Sequence, residues 1–145
     1  MIELAILLAV IAVAIAVGLL LRRNQGRIKA ADTLQPTSST RTQLLSEAGI
    51  DGTAPAVLHF SADWCGPCAA VQRVVAAVTA ELGDTARPPR DIEVDIDANP
   101  DLARELNVLS LPTTFVFDDN ATERFRISGV PKATDLRSAL TPLTA

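Results

Sequence analysis

Residues 4–21 contain only Leu, Ile, Val, Ala and one Gly. The run opens at Leu4, closes at Leu21 and carries no polar side chain. In hydrocarbon, a lone segment satisfies its backbone N–H and C=O groups only as a helix. As a helix these 18 residues reach roughly 27 Å, close to the thickness of a bilayer core. The pattern predicts one transmembrane helix over residues 3–22, so the chain attaches to the membrane through Leu4 to Leu21. A cleaved signal peptide is the competing reading, but it requires a basic start, a shorter apolar core and a small-residue cleavage site. Here Glu3 precedes the run, no Lys or Arg does, and Arg22 and Arg23 follow it directly. A retained anchor is favoured. Arg22, Arg23, Arg27 and Lys29 all stand on the C-terminal flank, and a Lys/Arg excess marks the cytoplasmic side. The expectation is a single-pass membrane protein whose domain faces the cytoplasm, with the extracytoplasmic orientation as the alternative.

Removing the anchor leaves enough chain for one domain of about 100 residues. A formal charge of −4 gives no basic footprint for nucleic acid. Residues 23–41 are polar, with Gly26, Pro36 and the cluster Thr37, Ser38, Ser39 and Thr40. That composition suits a solvated linker, although an edge strand within it stays open. Residues 42–145 are then the globular domain, with residues 42–48 as a short first helix.

Within that domain the run at residues 56–60 is apolar and too short for a helix, so it reads as a buried strand. Val71, Val74, Val75, Val78 and Leu82 place one apolar stripe on a helix that Gly83 ends. Residues 92–96 alternate as a strand. Asn99, Pro100 and Asp101 open a short helix over residues 102–106. Residues 113–117 and 123–128 read as an antiparallel hairpin around the turn cluster Asp118, Asp119 and Asn120. Residues 134–143 form a closing helix with Thr134 as N-cap. The order β-α-β-α-β-β-α gives an α/β domain with a mixed central sheet flanked by helices.

The chain has two cysteines, Cys65 and Cys68, in the stretch SADWCGPC. They follow the first buried strand and open the amphipathic helix. Unpaired N–H groups and the helix dipole at that end favour thiolate over thiol, and thiolate is the form that attacks a disulfide. A second Cys one turn on can then resolve the mixed disulfide. By this reasoning Cys65 is the exposed nucleophile and Cys68 the more buried resolving thiol. Gly66 lets the backbone turn, Pro67 stiffens it at the helix start, and Trp64 flanks the site as a flat apolar cover. A purely structural disulfide would close a two-residue gap and constrain little. A zinc site needs about four ligands, whereas the chain offers two Cys and one His.

WCGPC at Trp64 to Cys68, opening a helix after a buried strand, resembles the active-site motif of the thioredoxin family. The segment from Asp95 to Pro100 resembles that family's third strand and following turn. Leu111, Pro112 and Thr113 resemble its cis-proline loop, and Gly129 the glycine of its last strand. The resemblance covers residues 54–145 and implies a thioredoxin-like fold. It also implies a cis bond before Pro112, a Leu111 backbone that pairs with an extended substrate segment, and a groove rimmed by Trp64, Gly129 and Val130. Two departures stand out. His59 occupies the place of a buried Asp six residues before the first Cys, and Glu93 that of a Lys on the third strand. His59, supported by Glu93, is the expected proton-transfer group for Cys68. Arg73 replaces a Pro that kinks the family's active-site helix, so a straighter helix is expected.

The favoured function is a membrane-tethered thiol–disulfide oxidoreductase of reducing type, a protein-disulfide reductase, by resemblance of its Gly-Pro pair to reducing members. Its partners would be protein disulfides and an electron donor that the sequence leaves unidentified. No metal, nucleotide or flavin cofactor is implied. A non-catalytic binding module and an extracytoplasmic oxidase or isomerase are the alternatives.

Overall fold

The computed structural model describes residues 2–24, 26–31 and 38–145. Helix α1 (Ile2–Asn24) is apolar on every side, and its side chains from Ile2 to Arg23 are exposed. Over Ile2–Arg23 it is long and apolar enough to cross a membrane, a property shared by signal sequences.

The remaining elements build one five-stranded sheet in the order β1-β5-β4-β2-β3. Its strands are β1 (Ile28–Ala30), β2 (Ala56–Ser61), β3 (Arg90–Asp95), β4 (Thr113–Phe117) and β5 (Glu123–Ser128). β2 and β3 pair in parallel across the crossover helix α3 (Cys68–Glu81), while the other pairings are antiparallel. The sheet is therefore mixed, with the apolar strand β2 inside it, as a strand buried on both faces requires.

Each face of the sheet carries its own core. On one face Val57, Val116 and Ile127 meet Val71, Val75 and Val78 of α3 and Leu136 and Leu140 of α5 (Ala133–Leu140). On the other, Leu58, Phe60, Phe115 and Phe117 meet Leu45 of α2 (Ser39–Glu47) and Leu102 of α4 (Pro100–Glu105). Phe60 and Phe115 pack edge to face at 6.0 Å, an arrangement that the ring quadrupoles favour.

Several boundaries differ from the sequence reading. The stretch expected to be a linker contains β1, which pairs Ile28 with Ile127 and Ala30 with Phe125. The edge-strand alternative is the one realised there, because β5 offers an open edge whose N–H and C=O groups need partners. Residues 32–37 of the expected linker, including Pro36 and Thr37, lie outside the described residues. α2 begins at Ser39, since the Ser38 hydroxyl accepts from the Arg41 N–H at 3.0 Å and caps it. Arg41 is buried and pairs with Glu123 at 2.8 Å, tying α2 to β5. Thr134 is not the N-cap of α5. Lys132 holds that position without a side-chain bond, and the helix gives way to a 3-10 turn at Thr141–Leu143. α3 runs unbroken past Arg73.

Candidate active site

Beyond the end of β2, the chain turns through Ala62 and Trp64 into α3. Cys65 lies in that turn, with its N–H donated to the Ala62 carbonyl at 3.0 Å. The first helical residue is Cys68, and Pro67 stands at the N-cap. Cys65 thus precedes the helix rather than starting it, and the first helical bonds are accepted by the Pro67 carbonyl, from Ala70 at 3.1 Å and Val71 at 3.4 Å. The two cysteines are joined as a disulfide with Cα atoms 5.5 Å apart. Cys65 is half-buried and Cys68 is 4% exposed, so a second molecule can reach only the first sulfur. Sγ of Cys68 lies 3.7 Å from the Phe60 carbonyl oxygen, an acceptor for its thiol once the pair is reduced. The first turn of α3 carries no carboxylate to oppose the positive end of its dipole. In the reduced state this setting favours a thiolate at Cys65.

Trp64 is 70% exposed and donates its ring N–H to Asp97 at 3.0 Å. That bond fixes the indole beside the pair with one apolar face open. Gly66 has neither a left-handed φ nor a neighbour that an added Cβ would meet, so the turn does not depend on glycine there. Gly129 does, with φ at +90° while its N–H bonds the Pro112 carbonyl at 2.9 Å. The Leu111–Pro112 bond is cis. Pro67, Leu111, Pro112, Gly129 and Val130 line one groove of about 520 Å³. Thr113 faces inward and is buried, its hydroxyl donating to the Ser110 carbonyl at 2.6 Å.

His59 is 2% exposed, on the sheet face that α3 covers. Glu93 is its register neighbour on β3, yet the carboxylate that bonds His59 belongs to Asp91, at 3.0 Å from Nε2. Glu93 is instead held by the Gln72 amide of α3. The Ser61 hydroxyl first, then Gln72 and the charge of His59, hold the Glu93 carboxyl below its ordinary range against the opposing effect of burial. The expected His59–Glu93 pair is therefore shared out: α3 captures Glu93, and the imidazole turns to the carboxylate two residues earlier. A carboxylate only accepts, so Nε2 is the donor in this bond. Asp91 had no distinguishing signal in the sequence beyond its place two residues before Glu93. Thr114 was also missed. It faces His59 across the β2–β4 ladder, and its buried hydroxyl has no hydrogen-bond partner.

A disulfide just ahead of a helix, one of its cysteines half-buried and the other shielded, beside a groove with a cis-proline defines a thiol–disulfide redox domain. The chain belongs to the thioredoxin family, whose model, described as Thioredoxin, matches residues 39–142. A thioredoxin from Mycolicibacterium smegmatis is 39% identical over 88 residues, covering 61% of this chain and 78% of its own. A bifunctional thioredoxin reductase/thioredoxin from Mycobacterium leprae is 33% identical over 61% of this chain and 19% of its own. Among solved structures, Fasciola hepatica thioredoxin superposes with a TM-score of 0.53 at 30% identity, covering 70% of this chain and 88% of its own.

Proposed function

We propose that the protein is a membrane-tethered thiol–disulfide oxidoreductase that reduces protein disulfides. The observation that carries this reading is the asymmetry of the pair: Cys65 is reachable and Cys68 is shielded behind it. In the dithiol state the Cys65 thiolate attacks one sulfur of a substrate disulfide and the other leaves as thiolate. Cys68, deprotonated, then attacks Sγ of Cys65 and releases the substrate's remaining sulfur. Two electrons pass to the substrate and the pair is left as the disulfide. His59 takes the Cys68 proton at Nδ1, with Asp91 orienting the ring. The Leu111 backbone pairs with the substrate segment as an added strand, and Trp64, Pro112, Gly129 and Val130 shape its path, with Thr113 buried beneath it.

The Mycobacterium leprae relative joins thioredoxin reductase and thioredoxin by name, which supports a reductase of that class as the source of electrons. Residues 3–22 act as a retained anchor, and β1 together with residues 38–145 as the catalytic unit. The flank of Arg22, Arg23, Arg27 and Lys29 supports a cytoplasmic domain. A labelled cysteine or reporter placed after Ala145 tests the orientation, because reduction suits the cytoplasm and oxidation the other side. Insulin reduction with a supply of electrons tests the chemistry: turnover that Cys65→Ser abolishes supports an enzyme, and partner capture without turnover would make it a binding module. His59→Ala is expected to slow reduction and change its dependence on pH between 6 and 8. An unaltered profile would remove His59 from the mechanism.

A further inference from the structure

The last turn of α1 reaches the active site. Leu21, the final residue of the apolar run, lines the same groove as Pro67, Pro112 and Val130. The connection that brings it there is short. α1 ends at Asn24, and the Gly26 N–H already bonds the Ser128 carbonyl at 2.7 Å. Gly26 has φ at +76°, and a Cβ there would collide with the Val130 carbonyl oxygen. Residues 28–30 then pair with β5. Three residues, 25–27, lie between the helix and this docked strand, and Gly26 among them is already bonded to the end of β5.

A span closed by Leu21 and followed by Arg22 and Arg23 puts Leu21 at the hydrocarbon boundary and the arginines among the headgroups. The groove wall is then at the bilayer surface. The exposed large apolar side chains outside α1, among the described residues, are Trp64, Leu109 and Val130. Val130 lines the groove, Leu109, 86% exposed, precedes the lining residue Ser110, and Trp64 stands three residues before the lining Pro67. Apolar exposure gathered at one place marks a contact surface.

We propose that α1 supplies a wall of the substrate groove and holds it against the membrane surface. The favoured substrate is then a disulfide in an extended, apolar-flanked segment of another membrane protein, next to where that segment leaves the bilayer. This rests on the anchor and reductase readings given above. The reaction is the same exchange: the protein's dithiol is oxidised to the Cys65–Cys68 disulfide and the juxtamembrane disulfide is reduced to two thiols. A single turnover of pre-reduced protein needs no further donor.

The test uses the full chain in phosphatidylcholine vesicles, pre-reduced, with its domain outward as checked by protease. Two anchored peptides carry the same disulfide loop, one directly after its transmembrane segment and one beyond a Gly/Ser spacer of about 30 residues, whose r.m.s. reach is about 30 Å. The native chain is expected to reduce the close disulfide at least about tenfold faster than the distant one, because fixed geometry raises its effective concentration. A variant with about 30 Gly/Ser residues inserted between Asn24 and Gln25 is expected to lose that preference, since its groove is no longer held at the surface. Equal preference in the two chains, or none in the native chain, overturns the proposal. Flotation with the vesicles reads the anchor, and reduction of the same loop as a free peptide reads the reductase. Each reading therefore fails visibly on its own.

Discussion

α1 and the strand–helix unit β2–α3 are both rich in Val and Ala, yet they do opposite things with them. From Ile2 to Arg23 every side chain of α1 is exposed, while Ala56 to Phe60 of β2 are all buried. The difference lies in patterning. α1 is apolar on all sides and has no face to distinguish, so no one side of it is marked for packing on the sheet. α3 confines its valines to one stripe, and Val71, Val75 and Val78 pack on the sheet. Apolar content thus leaves one region with no face to pack and gives the other a rigid mount for the cysteine pair.

The largest expected effect separates chemistry from scaffold. Cys65→Ser should lower insulin reduction by at least about a thousandfold, as loss of a nucleophile does, with a thermal midpoint close to that of the reduced native chain, since the disulfide is lost in both. The next separates the two apolar regions. Phe60→Ala should cost about 3–5 kcal/mol by denaturant titration, because its cavity cannot collapse inside the sheet. Val13→Ala in α1 should leave the domain's midpoint in place. If Val13→Ala shifts it, α1 packs on the domain far more widely than at Leu21.

At the junction the contrast is between two polar groups. Arg41→Ala strips one partner from the buried Glu123, which Arg126 still bonds at 3.0 Å. The expected loss is about 2–3 kcal/mol, against none for Arg23→Ala on exposed α1. Gly26→Ala should then cost about 1 kcal/mol or more, for its left-handed φ and the Val130 carbonyl. Gly66→Ala should be nearly silent in stability.

The smallest effect is electrostatic. The Thr53 hydroxyl and N–H hold Asp51 at about 2, down from 3.8, with Arg90 adding to this. A carboxyl with a lowered pKa favours the folded state above its unfolded value of 3.8 and loses that contribution as pH falls through about 2. Asp51→Asn should therefore melt slightly below the native chain at pH 5, with the gap closing near pH 2.

Much of this was legible in the sequence. The hairpin of β4 and β5 was bounded by its turn cluster, the α3 stripe by its period, and WCGPC by its place between a strand and a helix. β1 stood in the sequence only as an open alternative to a linker, because three residues hold too little alternation to show a period, and its strand exists only through the open edge of β5. The exchange of partners around His59 was not legible. Register made Glu93 the neighbour, but Gln72 on another element takes that carboxylate and leaves Asp91 to the imidazole. The Arg41–Glu123 pair joins residues 82 apart, a separation that carries no local signal. The place of Leu21 in the groove depends on a junction whose shortness appears only once β1 is seen to pair.

Trapping the mixed disulfide tests the division of labour between the two sulfurs most directly. Cys68→Ser, reduced and mixed with a disulfide peptide, should accumulate a covalent adduct at Cys65 that mass spectrometry locates, whereas Cys65→Ser should form little or none. Adducts forming as fast on Cys68 as on Cys65 would contradict the assignment of Cys65 as the attacking residue.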